Sequence, residues 1–270
     1  MKNTRIAAQG LVLLGCGKMG SAMLAGWLER GLPPEKVWVI EPVPSLWLRG
    51  TGVHINDDLP DAPAVVLVAV KPQMMGDALP AIAALGGGET VFVSVAAGTS
   101  LTAYEAAFGV DTPIVRAMPN TPAAIGRGIT AICANAAGQG ALDEAAALLS
   151  AVGDVVQLES EAQMDAVTGV SGSGPAYVFH MIETLAAGGV AQGLSPELAM
   201  QLAKATVAGA GALAMQSDDD PTQLRINVTS PNGTTQAALE VLMSEQSGFP
   251  ALLPRAVAAA TERSKELSRG

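Results

Sequence analysis

The chain has 270 residues and a formal net charge of −10, and 49% of its residues are apolar while only 3% are aromatic. This apolar fraction supports a substantial core and excludes disorder, and the length allows one large domain or two ordinary ones. The acidic balance argues against a nucleic-acid partner, because phosphate binding needs a basic surface. The scarcity of aromatic residues argues against a platform for stacking bases.

Membrane and metal partners are also not expected. No apolar run reaches the roughly 18 residues of a membrane-spanning helix, and residues 1–10 lack the apolar stretch and cleavage site of a signal peptide. We therefore expect a cytoplasmic protein. Cys16 and Cys133 are the two cysteines, too few for a disulfide framework or a zinc cluster.

Short apolar runs alternate with helical patterns over the first part of the chain. The predicted strands are Leu11–Leu14, Val37–Ile40, Val65–Val70, Val91–Val95, Ile114–Arg116 and Ile129–Cys133. The predicted helices between them are Met19–Arg30, Met74–Leu85, Leu101–Phe108 and Leu142–Val152. Continuously apolar strands are typical of a parallel sheet covered on both faces. The alternation predicts a Rossmann-type, doubly wound α/β sheet.

After Glu159 the strand signals fade and Ala-, Leu- and Met-rich helical patterns follow. Helices are predicted at Pro175–Gln192, from Pro196 to about Gln216 with Ser195 as its N-cap, at Thr234–Ser244 and at Pro250–Leu267. We therefore predict a dinucleotide-binding domain at 1–159 and an all-α domain at 160–270. Several of these helices are apolar around most of their circumference, which requires burial. An oligomer interface would supply the missing cover.

A glycine-rich loop separates the first predicted strand from the first predicted helix. In "LLGCGKMGSAML", Gly15 permits a tight turn, Gly17 lets a pyrophosphate approach the backbone, and Gly20 lets the helix pack closely. The plainer alternative is a tight turn without a ligand. The candidate cofactor contacts in this loop are Gly15, Cys16, Gly17, Lys18, Met19 and Gly20.

Further cofactor candidates follow other predicted strands, at the edge where ligands bind doubly wound sheets. Glu41 ends the second strand; its carboxylate would accept from ribose hydroxyls and repel a 2′-phosphate, which favours NADH over NADPH. Lys71 in "VAVKPQ", the small residues of "SVAAGTS" and Asn120 in "MPNTP" occupy equivalent places. Each of these candidates could instead be a solvated surface residue or part of a stiff loop without a ligand.

Two polar stretches interrupt the helical half. "SGSGP" is compatible with a helix–helix turn, whereas "VTSPNGTTQAAL" places hydroxyls and a glycine directly before an apolar helix. Free N–H groups and hydroxyls at a helix start suit a small carboxylate. The alternative is a hydroxyl-rich N-cap.

The motifs GCGKMG, VKPQ, MPNTP, SGSGPAY and VTSPNGTTQAALEVL occur here in an order and spacing that resemble pyrroline-5-carboxylate reductase over nearly the whole chain. The last motif is the most distinctive, since the glycine loop is shared by many oxidoreductases. The family pattern reads S-P-G-G-T-T, and this chain has Asn232 at the first glycine. Asn is the next best residue at positive φ, so we expect the loop to keep its shape.

The resemblance implies that NADPH or NADH passes hydride to the imine carbon of 1-pyrroline-5-carboxylate, giving L-proline, the last step of proline biosynthesis. It implies that Gly15–Gly20 holds the pyrophosphate, that Asn56 contacts the adenosine end, and that Val70, Lys71, Pro72, Ala96 and Ala97 line the ribose crevice. The substrate positions that it implies are Glu161, Asn227, Ser230, Gly233, Thr234 and Thr235. N–H groups after Ser230 would bind the carboxylate.

By the same resemblance, helical segments of two subunits form the substrate site, and the assembly is a homodimer or a decamer built from dimers. The imine nitrogen is basic enough to arrive protonated, or to take a proton from water or a hydroxyl, so no strong protein acid is required. Thr235 is the candidate catalytic residue, a proton-relay or positioning hydroxyl bonded to the ring nitrogen. His54 and His180 lack a carboxylate pattern that would orient them for catalysis, and we expect them to be structural or solvated.

Two other functions fit parts of the pattern. A related Rossmann reductase could act on another imine or a 3-hydroxy acid, with Lys204 as the helix lysine, although "LAKATVAG" offers it no polar neighbours. A non-enzymatic nucleotide sensor would explain the glycine loop but not the polar loop before Thr235.

Overall fold

The structure is a computed structural model that describes residues 4–269. The chain divides into two compact units, one of residues 4–172 with 260–269 and one of residues 173–259. The predicted boundary at 159/160 rested on where strand signals stop. It stays a prediction about the functional domains.

The first unit is built on one eight-stranded sheet. Its strands are β1 (Leu11–Leu14), β2 (Val37–Ile40), β3 (His54–Ile55), β4 (Val65–Val68), β5 (Val91–Ser94), β6 (Ile114–Met118), β7 (Gly128–Ala134) and β8 (Gly153–Gln157). They lie in the order β3-β2-β1-β4-β5-β6-β7-β8, and every neighbouring pair is parallel except β6 and β7. The prediction of a doubly wound sheet is confirmed.

Helices cover both faces of this sheet. They are α1 (Thr4–Gln9), α2 (Lys18–Glu29), α3 (Leu46–Arg49), α4 (Met75–Ala78), α5 (Leu101–Phe108), α6 (Leu142–Leu149) and α7 (Met164–Val167). Side chains alternate between faces along a strand, so Leu11 and Leu13 join one buried cluster with Trp27, while Val12 and Leu14 join another with Tyr104. One buried cluster therefore packs against each face of the sheet, and together they fix the end of β1 from which the glycine loop starts.

Several elements of the first unit differ from the prediction. The helix expected at Met74–Leu85 is α4 followed by a 3₁₀ stretch at Leu79–Leu85, because Pro80 lacks the N–H that would continue the helix. The edge strands β3 and β8 were not predicted, since β3 has two residues and β8 reads "GDVVQ" and is largely exposed. The short helices α1 and α3 were also missed.

The second unit is helical. It contains α8 (Gly174–Ala191), α9 (Pro196–Gln216), α10 (Pro221–Asn227), α11 (Thr234–Leu242) and the first half of α12 (Phe249–Arg269), whose residues from 260 onward group with the first unit. Ser195 caps α9 as predicted, accepting from Leu198 N at 3.3 Å. Helix α10 was not predicted; Asp220 caps it by accepting from Gln223 N at 2.9 Å.

Little of the second unit's apolar surface is buried within the chain. Among its described residues, the buried hydrophobic side chains are three alanines: Ala186, Ala199 and Ala203. Helix α9 has the length and composition of a membrane span, and 11% of its apolar 18-residue window is buried within the chain. Its sequence is not an uninterrupted apolar run, because Glu197, Gln201 and Lys204 interrupt it, so α9 meets this description by length and average composition only.

Candidate functional site

The glycine loop, Gly15–Gly20, joins β1 to α2, and two of its three glycines are required by the chain itself. Gly15 has φ +89° and donates its N–H to Ile40 O at 2.9 Å. A Cβ there would lie 2.8 Å from Cγ1 of Val70, and a Cβ on Gly20 would overlap the carbonyl oxygen of Gly15. Both positions therefore exclude larger residues regardless of any ligand.

Gly17 is different, because nothing in the chain requires a glycine there. Its φ is −70°, and a Cβ would meet no described atom within 4 Å. It is the N-cap of α2, and among the described residues no side chain caps the first N–H groups of the helix. The first N–H groups of α2 thus face open space at the positive end of the helix dipole. This space fits a pyrophosphate held by backbone N–H groups.

Glu41 and Asn56 buttress the same loop. The Glu41 carboxylate accepts from Cys16 N at 2.8 Å and from Val43 N at 3.1 Å. Asn56, at φ +56°, accepts from Glu41 N at 2.9 Å and donates to Glu41 O at 3.0 Å. A fixed carboxylate therefore lies against the glycine loop, as a ribose contact would require. The ribose and adenosine roles of these two residues stay predictions.

Cys16 lies beside this carboxylate and is not a reactive thiol. Burial, and next the negative charge of Glu41, raise the pKa of Cys16 to about 11. Since the thiolate is the nucleophile, Cys16 contributes to the loop through its backbone N–H.

The other cofactor candidates follow neighbouring strands. β1, β4, β5 and β6 are adjacent and parallel, so their carboxyl ends share one edge of the sheet. The loops at that edge carry the remaining predicted contacts: Lys18, Met19, Val70, Lys71, Pro72, Ala96, Ala97 and Asn120. Lys71 is exposed, whereas Asn120 accepts from Ile129 N at 3.0 Å and so also holds the start of β7.

The polar loop before α11 keeps a compact turn. Gly233 N donates to Ser230 O at 3.0 Å, and Asn232 N donates to Oε1 of Gln236 at 2.8 Å. Asn232 has φ +59°, one of two positive-φ residues other than glycine in the described chain. The expectation that asparagine adopts the glycine-like conformation here is confirmed.

The start of α11 is open to a ligand. Gly233 is its N-cap, and no described side chain caps the helix. The hydroxyls of Ser230 and Thr235 bond to no other group among residues 4–269. Free N–H groups and two hydroxyls therefore lie within one turn, together with Thr234, as a small carboxylate requires.

The structure does not place Glu161 or Asn227 in this cluster of free groups. Glu161 lies in the first unit, where its Oε1 accepts from Leu101 N at 2.9 Å and from Nη1 of Arg116 at 2.5 Å. Asn227 ends α10 and bonds to Asp219 at 3.1 Å and to Gln223 at 2.7 Å. Both side chains are engaged within the chain, and their substrate roles stay predictions.

Each histidine lies beside a carboxylate three residues further along the chain, a contact that we did not expect from the sequence. His54 stacks on Trp38 with ring centroids 4.6 Å apart, and its Nδ1 lies 3.3 Å from Asp57. His180 is exposed and lies 3.1 Å from Glu183. No cluster of three or more metal-ligating side chains occurs within the described range.

Full-length relatives decide the family. The pyrroline-5-carboxylate reductase of Synechocystis is 43% identical over 267 residues, which covers 96% of this chain and 98% of that protein. The enzyme of the same name from Pseudomonas aeruginosa is 38% identical over 265 residues, covering 96% of each. The chain belongs to the pyrroline-5-carboxylate reductase family.

Solved structures and family models agree with this assignment. A pyrroline-5-carboxylate reductase from Coxiella burnetii superposes with a TM-score of 0.89 at 33% identity and covers 96% of this chain and 98% of its own. The Plasmodium falciparum enzyme, solved with NADP bound, gives 0.83 at 29% identity, covering 97% and 99%. The pyrroline-5-carboxylate reductase dimerisation model matches residues 161–267, and the model for NADP oxidoreductase, coenzyme F420-dependent, matches 10–98.

Proposed function

We propose that this chain reduces 1-pyrroline-5-carboxylate to L-proline with NADPH or NADH. Full-length membership of the reductase family carries the proposal. The reduced nicotinamide, when bound, supplies the hydride that the imine carbon accepts. The open cradle over Gly17 and the uncapped start of α2 would hold the pyrophosphate of such a cofactor.

The residues at the start of α11 would bind the substrate. The free N–H groups after Gly233 would bind the carboxylate at the positive end of the helix dipole. The hydroxyl of Thr235 would bond to the ring nitrogen and fix the orientation of the imine. Because no strong acid is needed, this proposal assigns catalysis mainly to proximity and orientation.

Loss of NADPH absorbance at 340 nm tests the proposal against its rivals. We expect oxidation when 1-pyrroline-5-carboxylate is added. Oxidation with the keto form of a 3-hydroxy acid, and not with this imine, would support the related reductase. Cofactor binding without turnover of either substrate would support the nucleotide sensor.

Glu41 is proposed to set cofactor preference. Its fixed carboxylate would repel a 2′-phosphate, so we expect a higher kcat/KM with NADH than with NADPH. Glu41→Gln should shift the NADPH/NADH ratio of kcat/KM toward NADPH by about tenfold, since removing one like-charge contact is worth 1.4 kcal/mol or more. Glu35→Gln, at an exposed position before β2, is the control. An unchanged ratio in Glu41→Gln would exclude this role.

A homodimer is the proposed minimal assembly, and decamers built from it are part of the same proposal. Support comes from the dimerisation model that matches residues 161–267 and from the unburied apolar side chains of α8 and α9. In this proposal the exposed apolar side chains of α9 pack against a second subunit and not against a membrane. We place the enzyme in the cytoplasm, as the sequence led us to expect.

Leu202→Asp is expected to shift the protein from dimer to monomer in light scattering after gel filtration. Leu202 lies in the middle of α9 and is 49% exposed within the chain. Each association would bury two unpaired carboxylates, at a cost of several kcal/mol per ion. Leu46→Asp, at an 89% exposed leucine of the first unit, should leave the mass unchanged. A Leu202→Asp protein that remains dimeric would contradict the proposed interface.

A further inference from the structure

Arg116 is a charged side chain buried in the middle of the sheet. It lies on β6 with 4% of its surface exposed, between Ser94 on β5 and Cys133 on β7. Its Nη1 donates to Oε1 of Glu161 at 2.5 Å, while Nε and Nη2 have no partner within the described chain. The Glu161 side chain is half-buried. Removing the partner of a buried charge is strongly destabilising, whereas apolar replacement of both partners is often neutral. Stability alone therefore does not require the Arg116–Glu161 pair, and we looked for a role of this pair in function.

The Arg116–Glu161 pair reaches the end of a loop at the cofactor edge of the sheet. We define the 95–100 loop as residues 95–100, between β5 and α5. Besides Arg116, Oε1 of Glu161 accepts from Leu101 N at 2.9 Å, the first N–H of α5. Arg116 thus fixes Glu161, and Glu161 fixes the point where the 95–100 loop enters its helix.

A second buried contact holds the beginning of the same loop. The hydroxyls of Ser94 and Tyr104 lie 2.5 Å apart, and Ala96 N donates to Ser94 Oγ at 3.2 Å. Burial raises the pKa of Tyr104, against smaller opposing effects from hydrogen bonds to Ser94 and Thr99 and from the charge of Arg116. Tyr104 therefore stays a neutral phenol that can hold Ser94. The two ends of the 95–100 loop are therefore held by two separate polar contacts, Ser94–Tyr104 at its start and Arg116–Glu161 at its end.

We propose that Arg116 is a positioning residue for hydride transfer: through Glu161 it fixes the 95–100 loop, on which Ala96 and Ala97 meet the ribose and nicotinamide end of the cofactor. The inference rests on the proposed function, which places that end of the cofactor at this edge. The pyrophosphate is held separately by the glycine loop. Loss of Arg116 therefore misplaces the reacting end without releasing the cofactor.

Steady-state kinetics of Arg116→Met, with the matched control Arg263→Met, test the proposal. Arg116→Met should lower kcat about 30-fold, since a 1 Å misplacement of the reacting groups costs on the order of 100-fold. The KM values for NADPH and for the imine should change less than about threefold, because the substitution alters neither the glycine loop nor the start of α11. Arg116 does contact Glu161, a predicted substrate position, so a rise confined to the imine KM would count against positioning. Arg263 forms an exposed pair with Glu266 at 2.6 Å, and its loss should leave kcat unchanged.

Two further measurements separate positioning from general destabilisation. With C4-deuterated NADPH, the isotope effect on kcat should be larger in Arg116→Met than in wild type, because hydride transfer becomes slower relative to product release. Arg116→Lys, which keeps a charge opposite Glu161, should recover most of the lost kcat. Loss of stability alone would lower the amount of active protein and leave the isotope effect unchanged.

The outcomes are distinguishable. If wild type does not oxidise NADPH with the imine, the proposed function fails. If wild type is active and folded Arg116→Met keeps kcat within about twofold, or loses efficiency only through KM, the positioning role is wrong. If Arg116→Met does not fold, Glu161→Gln decides, because it keeps an oxygen for Leu101 N–H and removes the charge facing Arg116. It should lower kcat; a rise only in the imine KM would instead make Glu161 a substrate contact.

Discussion

Gly17→Ala is expected to weaken NADPH binding about 5- to 150-fold, the range that corresponds to 1–3 kcal/mol of steric conflict. The thermal midpoint should stay unchanged or rise slightly, because the chain leaves open space for the methyl group at an ordinary φ and alanine reduces the entropy of the unfolded state. The methyl group would occupy the place where the pyrophosphate meets the backbone. Titration of NADPH fluorescence and a thermal melt measure the two effects.

Two other glycines serve as controls for Gly17→Ala. A Cβ on Gly20 would overlap the carbonyl oxygen of Gly15, so Gly20→Ala should lower stability as well as binding. Gly140 precedes α6 and also has open space around its Cβ, so Gly140→Ala should change neither quantity. Wild-type NADPH affinity in Gly17→Ala would show that the cradle does not hold the cofactor.

Thr235→Val is expected to lower kcat about 100-fold while leaving the KM for NADPH unchanged, since a misplacement of the reacting groups by about 1 Å costs on the order of 100-fold. Valine matches the shape of threonine, so the loss isolates the hydroxyl, which bonds to no other group among residues 4–269. The KM for NADPH should be insensitive because the proposed pyrophosphate contacts are in the glycine loop, which this substitution does not alter. Steady-state kinetics with the imine varied at saturating NADPH measure the change.

The matched variants for this position are Thr235→Ser and Thr222→Val. Serine restores the hydroxyl and should recover much of the turnover. Thr222 is an exposed residue of the first turn of α10, and its replacement should have no effect. Wild-type kcat in Thr235→Val would remove the positioning and proton-relay roles together.

The central sheet and the glycine loop were predictable because their signals are local. β1 and β2 have the predicted bounds. β1 is buried on both faces and therefore reads as an uninterrupted apolar run, and β2 is equally apolar although alternate residues are only partly buried. The need for glycine at positions 15 and 20 was predictable because the turn leaves no room for a Cβ there. The conformation of Asn232 was predictable because asparagine tolerates positive φ.

Long-range contacts could not be predicted in the same way. Arg116 and Glu161 are 45 residues apart in sequence, and only the folded sheet brings them together. The local signal is an arginine inside the apolar strand "IVRAM", and it does not identify the partner of that arginine. Strand β8 was missed because it pairs with β7 at an exposed edge, where polar residues are tolerated.

Deuterium transfer is the most direct test of the account's central claim, that this chain moves hydride from a nicotinamide to the imine carbon. The purified protein would be incubated with 1-pyrroline-5-carboxylate and reduced cofactor deuterated at the transferred position of C4. Mass spectrometry and NMR should find proline with one deuterium, at C5, in amounts equal to the cofactor oxidised. Failure to form proline, or proline without deuterium at C5, would contradict the account.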